Sequence, residues 1–116
     1  MATSSGDDRI MMHNPNTGRE DSTIAVAMYE PVRDAILEAL DAEPGMRFMD
    51  DLFHAVEART PADLWADAAV KWYTTTVKLH LEATGLVDRH GSPQQLTLTE
   101  AGASELAEIR SDREDG

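Results

Sequence analysis

The chain has 116 residues and no cysteine, which excludes disulfide bonds and thiolate chemistry. Asp and Glu number 22 against 10 Lys and Arg, and the resulting net charge of −12 is opposite in sign to that of most nucleic-acid-binding proteins. The length fits one domain, and no apolar run reaches the length of a membrane span or resembles a signal peptide, so we predict a cytoplasmic protein without membrane contact.

The N-terminal stretch, residues 1–22, has few large apolar side chains and several turn-forming residues. We predict that it is a flexible tail followed by a polar arm. An alternative is an extended, strand-like arm that packs on a partner subunit. The folded domain is expected to occupy residues 23–110, and residues 111–116 are predicted to form an acidic tail.

Two amphipathic helices are predicted next. The first covers residues 27–40, and Pro31 indicates a start near Met28, because proline is best tolerated in the first turn of a helix. The second covers residues 49–58. The residues expected to face the core are Tyr29, Val32, Ile36, Leu37, Leu40, Leu52, Phe53 and Val56.

A short helix at residues 61–65 is predicted to lead into a main helix over residues 68–84. Gly85 lies where a helix commonly ends with a positive φ. One face of the main helix is apolar, and the opposite face is polar and expected to be exposed. The apolar face carries Val70, Tyr73, Val77 and Leu81, and the polar face carries Lys71, Thr74, Thr75, Lys78 and Glu82.

A two-stranded hairpin is predicted after Gly85. Gly91-Ser92-Pro93 has turn chemistry, and Leu96 and Leu98 alternate with polar residues as in a half-buried strand. A last helix, residues 100–110, follows, with Thr99 as its N-cap.

This order of elements resembles the back half of a winged helix-turn-helix domain. The residues that carry the resemblance are the helix end KLHLEATGLVDRH, the short turn GSP and the return LTLTEAG. The chain also resembles a small uncharacterised microbial family with a Tyr-Glu pair at the start of its first helix and a Trp in its third, a resemblance that carries no function.

The resemblance implies an α+β, mostly helical fold: a three-helix core, a β-hairpin wing and a C-terminal helix. It also implies a short strand at Phe48 that pairs with the wing, and a DNA-binding transcriptional regulator, often a homodimer. Lys and Thr contact phosphates and base edges, and Arg suits a narrow minor groove. The residues expected to contact double-stranded DNA are Lys71, Thr74, Thr75, Lys78, Arg89, His90 and Gln94.

The charge distribution leaves two functions open. Residues 71–98 hold three bases against two acids, so the acidity lies mostly outside the helix and wing that would meet DNA. The total charge instead favours a winged-helix protein–protein interaction module that does not bind DNA. In that case Trp72 and Leu79, on the flank of the main helix, would form the dimer or partner surface.

Catalytic and metal sites are not indicated by any motif. The sequence has no Gly-rich phosphate loop, no nucleophile-elbow pattern and no thiol. The four histidines include no pair spaced i, i+3 or i+4, which argues against a metal site on one helix. We therefore predict no enzyme activity, no cofactor and no small-molecule ligand.

Overall fold

A computed structural model describes residues 9–14, 19–47, 51–65, 69–91 and 95–115, and within these ranges the chain is an α+β protein. The α+β prediction is confirmed at this level. Its elements in chain order are β1 (Arg9–Asn14), β2 (Arg19–Ala25), α1 (Val26–Ala42), β3 (Met46–Arg47), α2 (Phe53–Ala58), a 3₁₀ helix (Ala62–Trp65), α3 (Val70–Ala83), β4 (Val87–His90), β5 (Gln95–Leu98) and α4 (Glu100–Asp115).

The core is built around α1, which packs against α2, α3, α4 and both sheets. All eight core residues predicted from the first two helices are buried, and so are Val77, Leu81 and Leu106. Tyr73 was expected in the core but is only half-buried at its edge. The helical spacing therefore gave the inward face of α1 correctly and that of α3 only in part.

The start of α1 differs from the prediction. The helix begins at Val26, so Pro31 lies inside it, beyond the first turn. Proline cannot donate the hydrogen bond that the carbonyl of Ala27 would otherwise accept. Ala27 is exposed, so water is available to that carbonyl, and the helix starts earlier than proline alone suggested.

The predicted hairpin is present as β4 and β5, which pair antiparallel from Val87↔Leu98 to His90↔Gln95. Gly91 begins the turn with φ +72°, and residues 92–94 lie outside the described residues. Strand β3 pairs with β5 on its other edge and gives the order β3-β5-β4. The strand expected at Phe48 falls on an undescribed residue, and the observed strand lies just before it.

Hydrogen bonds join the end of α3 to the start of α4. Gly85 has φ +82°. The Thr99 hydroxyl donates to the Gly85 carbonyl at 2.6 Å and accepts from the Gly102 N–H at 3.0 Å, as expected of an N-cap. A Cβ on Gly102 would lie 2.1 Å from the Leu86 carbonyl oxygen, so this contact requires glycine.

The prediction of a flexible N-terminal arm is wrong for the described part of that segment. Strands β1 and β2 form an antiparallel hairpin with an irregularity between Met12 and His13. Met12 and Ile24 are each 1% exposed and belong to the core, and β1 packs against α3 of its own chain. Met12 and Ile24, one from each strand, thus anchor the hairpin, and the partly buried Ile10 also packs against the core. The alternative of a strand-like arm was right about the strand.

The C-terminal helix extends further along the chain than predicted. Helix α4 continues to Asp115, so most of the predicted tail at residues 111–116 is helical. No helix in the described ranges is both long enough and apolar enough to cross a membrane.

Candidate partner-binding surface on α3

The polar face assigned to α3 is not the exposed face. Thr74 is 0% exposed and Lys78 is 2% exposed, which contradicts their expected position on a DNA-facing surface. Helix α3 packs against α1, α2, β1 and β4, and Thr74 and Lys78 lie on the covered part of its surface.

The buried end of Lys78 forms an internal ion pair. Its Nζ lies 2.7 Å from Glu82 Oε2, and Arg89 Nε from β4 lies 3.5 Å from Glu82 Oε1. The side chains of Lys78 and Glu82 are 2% and 6% exposed, so this carboxylate is surrounded by protein and by two cations. The charge of Lys78 is therefore compensated inside the molecule and is unavailable to a phosphate. Within the described part of the chain, the buried Thr74 hydroxyl has no hydrogen-bond partner.

Of the remaining residues predicted to contact DNA, Arg89 takes part in this ion pair, and the others that the structure describes lie elsewhere. Lys71 is exposed, with Nζ 5.8 Å from the centre of the Phe53 ring. Thr75 is half-buried. The Arg89 side chain is 38% exposed, and exposed His90 has Nε2 3.1 Å from the Thr97 hydroxyl. Gln94 lies outside the described residues.

Three rings form an aromatic row (Trp65, Tyr73 and Trp72) at the N-terminal end of α3. Trp72 is 48% exposed and meets Tyr73 edge to face, with 5.0 Å between ring centres. Tyr73 in turn lies 6.1 Å from Trp65, whose Nε1–H donates to the Thr60 hydroxyl at 2.7 Å. The row thus presents one exposed indole on two half-buried rings, and the innermost ring is fixed by a hydrogen bond.

Trp72 was predicted from the sequence as a partner-surface residue, but the two aromatic rings that pack beneath it were not. Leu79, its expected companion, is half-buried. Tyr73 was assigned to the core and Trp65 only to a short helix. The sequence does contain a signal for the aromatic row, since Tyr73 directly follows Trp72 and Trp65 lies nearby in the chain.

A groove of about 390 Å³ separates α2 from the first turn of α3, beside the aromatic row in sequence. It combines apolar walls with three ionisable side chains. Its lining residues are Phe53, His54, Glu57, Ala69, Val70 and Lys71.

A buried imidazole lies on another side of α3. His80 Nδ1 accepts a hydrogen bond from the backbone N–H of His13 at 3.1 Å, and the two rings stack with centres 5.5 Å apart. Tyr29 meets the His80 ring edge-on at 5.7 Å. Burial, and secondarily the charge of His13, lowers the pKa of His80. The sequence gave no sign of this pair, because 67 positions separate the two histidines. Among the described residues, no group of three or more His, Asp or Glu could hold a metal ion.

Comparison with known proteins identifies the family. The model of a family described as a family of unknown function, DUF6958, matches residues 9–97, and the chain belongs to that family. No curated protein and no solved structure matches the chain. The matched range begins with β1, so the N-terminal hairpin is part of the family's domain.

Proposed function

We propose that this member of the DUF6958 family is a protein–protein interaction module on a winged-helix scaffold, and that it binds its partner through the aromatic row. The single observation that carries the proposal is the contrast on α3: the Lys78 ammonium is buried against Glu82, whereas the Trp72 indole is 48% exposed. One of the two lysines of α3 is thus turned inward, whereas the residue best suited to a protein partner is outward.

The winged-helix part of the proposal is supported by connectivity. From α1 onward the elements run helix, strand, two helices and two strands, and β3 pairs with the second strand of the hairpin β4–β5. This is the arrangement that the resemblance implies, with β4–β5 as the wing. The additional β1–β2 hairpin precedes it and covers part of α3.

The interaction-module part is supported by the chemistry of Trp72. Tryptophan and tyrosine are enriched among the residues that dominate binding energy at protein interfaces, especially when they are held rigidly. Trp72 rests on Tyr73, and Tyr73 on Trp65, so little conformational freedom remains to be lost on binding.

The charge indicates what kind of partner fits. Two copies of this chain would each bring a net charge of −12, which opposes close association of the acidic surfaces. A protein partner with a basic surface and an apolar anchor for Trp72 is therefore favoured over a homodimer. The homodimer predicted from the sequence becomes one outcome of the test below.

DNA binding is the second candidate, and it is favoured by one observation. Arg89 and His90 are exposed on the wing, where the resemblance implies backbone contacts. Tight DNA binding commonly neutralises about 6–10 phosphates. Of the predicted contacts with described side chains, only Lys71 and Arg89 bring a full positive charge to the surface, and Arg89 shares its charge with Glu82.

The test places a photo-crosslinking amino acid at Lys71, beside the aromatic row, in the full-length chain expressed in its source cells. We expect a crosslinked protein partner that is lost when Trp72→Ala is added. The matched control carries the crosslinker at exposed Ala107 on α4, where no such product is expected. Purified basic candidates identified this way should then bind wild type and not Trp72→Ala.

The competing outcomes are measured on the same proteins. A fluorescence titration of random and genomic DNA pools across salt compares wild type, Lys71→Ala and Arg89→Ala. DNA retention that weakens in both variants, with no Trp72-dependent crosslink to protein, would overturn the proposal in favour of DNA. A crosslink to a second copy, with a dimer in sedimentation that Trp72→Ala dissolves, would identify the homodimer instead.

A further inference from the structure

We propose that His80 is a pH-sensitive latch: in its neutral form it holds the β1–β2 hairpin on α3, and its protonation favours opening of the hairpin. The observation is the backbone N–H of His13 donating to His80 Nδ1 at 3.1 Å, across an interface between two elements far apart in sequence. The inference is independent of the proposed function, since none of the residues it uses belongs to the aromatic row.

The hydrogen bond fixes the protonation state that the closed hairpin requires. A neutral imidazole has one N–H and one acceptor nitrogen, and here Nδ1 is the acceptor, so the proton must be on Nε2. A second proton would convert Nδ1 into a donor that faces the donor N–H of His13. The bond is then lost, and two hydrogens point at each other across the interface.

The surroundings of His80 also oppose its positive charge. From β1, the stacked His13 ring would carry a like charge if it were protonated. From α1, the Tyr29 ring lies nearly perpendicular to the His80 ring, and the Arg33 guanidinium lies over the Tyr29 ring, 5.5 Å from its centre. Glu105 of α4 acts on Tyr29 from farther away. The nearest partners are thus a second imidazole and a neutral phenol.

The direction of the effect follows from linkage. Burial and His13 lower the pKa of His80 while the hairpin is closed, whereas an open hairpin returns His80 to water and to an ordinary pKa of about 6.5. The open form therefore binds protons more readily. Opening should become more frequent as pH falls below about 6.5, with a tenfold change in the opening constant for each unit by which the two pKa values differ.

An irregularity in the strand pairing lies next to this hydrogen bond, and we expect the hairpin to open there. The register of β1–β2 shifts between Met12 and His13, immediately before the bonded amide. Opening would expose Met12 and Ile24, which are 1% exposed in the closed form, so the closed form stays dominant at neutral pH. The device changes how often this apolar surface and the His80 side of α3 are uncovered.

The test is amide hydrogen exchange of the full chain, followed by NMR between pH 7.5 and 5 and expressed as protection relative to each amide's intrinsic rate. We expect several-fold loss of protection at His13 and along β1–β2 in wild type, with little change in α1. His80→Asn keeps an acceptor near the position of Nδ1 but does not titrate, and it should abolish that dependence. The matched control is His90→Asn, which removes an exposed histidine and should leave the dependence intact.

A wild-type measurement supports the test if His80→Asn does not fold. Ring nitrogen shifts of His80 should show an unprotonated Nδ1 at neutral pH, and its titration should coincide with the loss of His13 amide protection. Protection of β1–β2 that is independent of pH in wild type would overturn the proposal. So would an equal loss in wild type and His80→Asn, or a His80 titration that does not follow the opening.

Discussion

The two hairpins of this chain pack against the same helix by different chemistry. The β4–β5 hairpin reaches α3 through an ion pair between Arg89 and Glu82, whereas β1–β2 reaches it through a hydrogen bond to neutral His80. Both also contribute apolar side chains that are at most 2% exposed, Val87 and Leu96 from β4–β5 and Met12 and Ile24 from β1–β2. Similar apolar anchoring is thus combined with different polar contacts.

Because their polar contacts differ, the two hairpins should respond to different conditions. An ion pair that is partly exposed weakens with salt and is unaffected by pH near neutrality. A hydrogen bond to a buried imidazole ignores salt and weakens with acid. Variants of the two sets of contacts can separate these responses.

The largest effect is expected for Glu82→Gln. The substitution leaves the Lys78 ammonium, 2% exposed, without its carboxylate, and breaking a buried pair this way costs about 3–5 kcal/mol of unfolding free energy. Urea unfolding measures the change, with Glu108→Gln on the exposed side of α4 as the matched control. A loss below about 1 kcal/mol would mean that the pair is hydrated in solution.

The next effect compares the apolar anchors directly. Ile24→Ala and Leu96→Ala each remove a buried side chain, and each should cost about 2–5 kcal/mol. Similar losses in urea unfolding would establish that β1–β2 is as integral to the domain as β4–β5. If Ile24→Ala costs less than about 1 kcal/mol while Leu96→Ala falls in the expected range, the N-terminal hairpin is a separable element.

A smaller effect should appear only as a pH slope. Because the pKa of His80 is lowered in the folded state, the unfolded chain binds more protons, and stability is lost as pH falls from about 6.5 through the lowered pKa. Wild type should therefore lose unfolding free energy relative to His80→Asn between pH 7.5 and 5. Parallel pH curves for the two proteins would show that His80 does not contribute.

The smallest effect is expected for Arg89→Ala. Its side chain is 38% exposed and Glu82 keeps Lys78 as a partner, so the loss should be about 0–1 kcal/mol. The difference from wild type should shrink in molar salt, because exposed charges are screened. An undiminished difference at high salt would indicate that the Arg89 stem contributes through packing instead.

The β4–β5 hairpin could be predicted from the sequence because its signals are local. Gly85, Gly91 and Thr99 occupy positions that backbone geometry restricts, and each lies within a few residues of the strands it delimits. The apolar face of α1 was equally visible from spacing alone. Residues close together in sequence determine these features, so the sequence alone predicts them.

The N-terminal hairpin and the polar side of α3 depend on contacts between distant residues, which a linear reading does not show. Met12 and Ile24 lie in a stretch with few large apolar residues, and their burial depends on elements far along the chain. Lys78 was assigned to solvent because an isolated helix would leave it there. Its burial depends on the ion pair with Glu82 one turn away and on the elements that pack against α3. Thr74 is buried as well.

The position of His80 in the sequence also determines when the β1–β2 hairpin can dock on α3 during synthesis. The hairpin that it holds leaves the ribosome before α3, and its acceptor follows 67 residues later, which corresponds to roughly 3–13 seconds at about 5–20 residues per second. A two-stranded hairpin alone is marginally stable in water. The first strands of this chain therefore wait, unpaired or transiently paired, until α3 emerges, and their docking is a late event in folding rather than an early one.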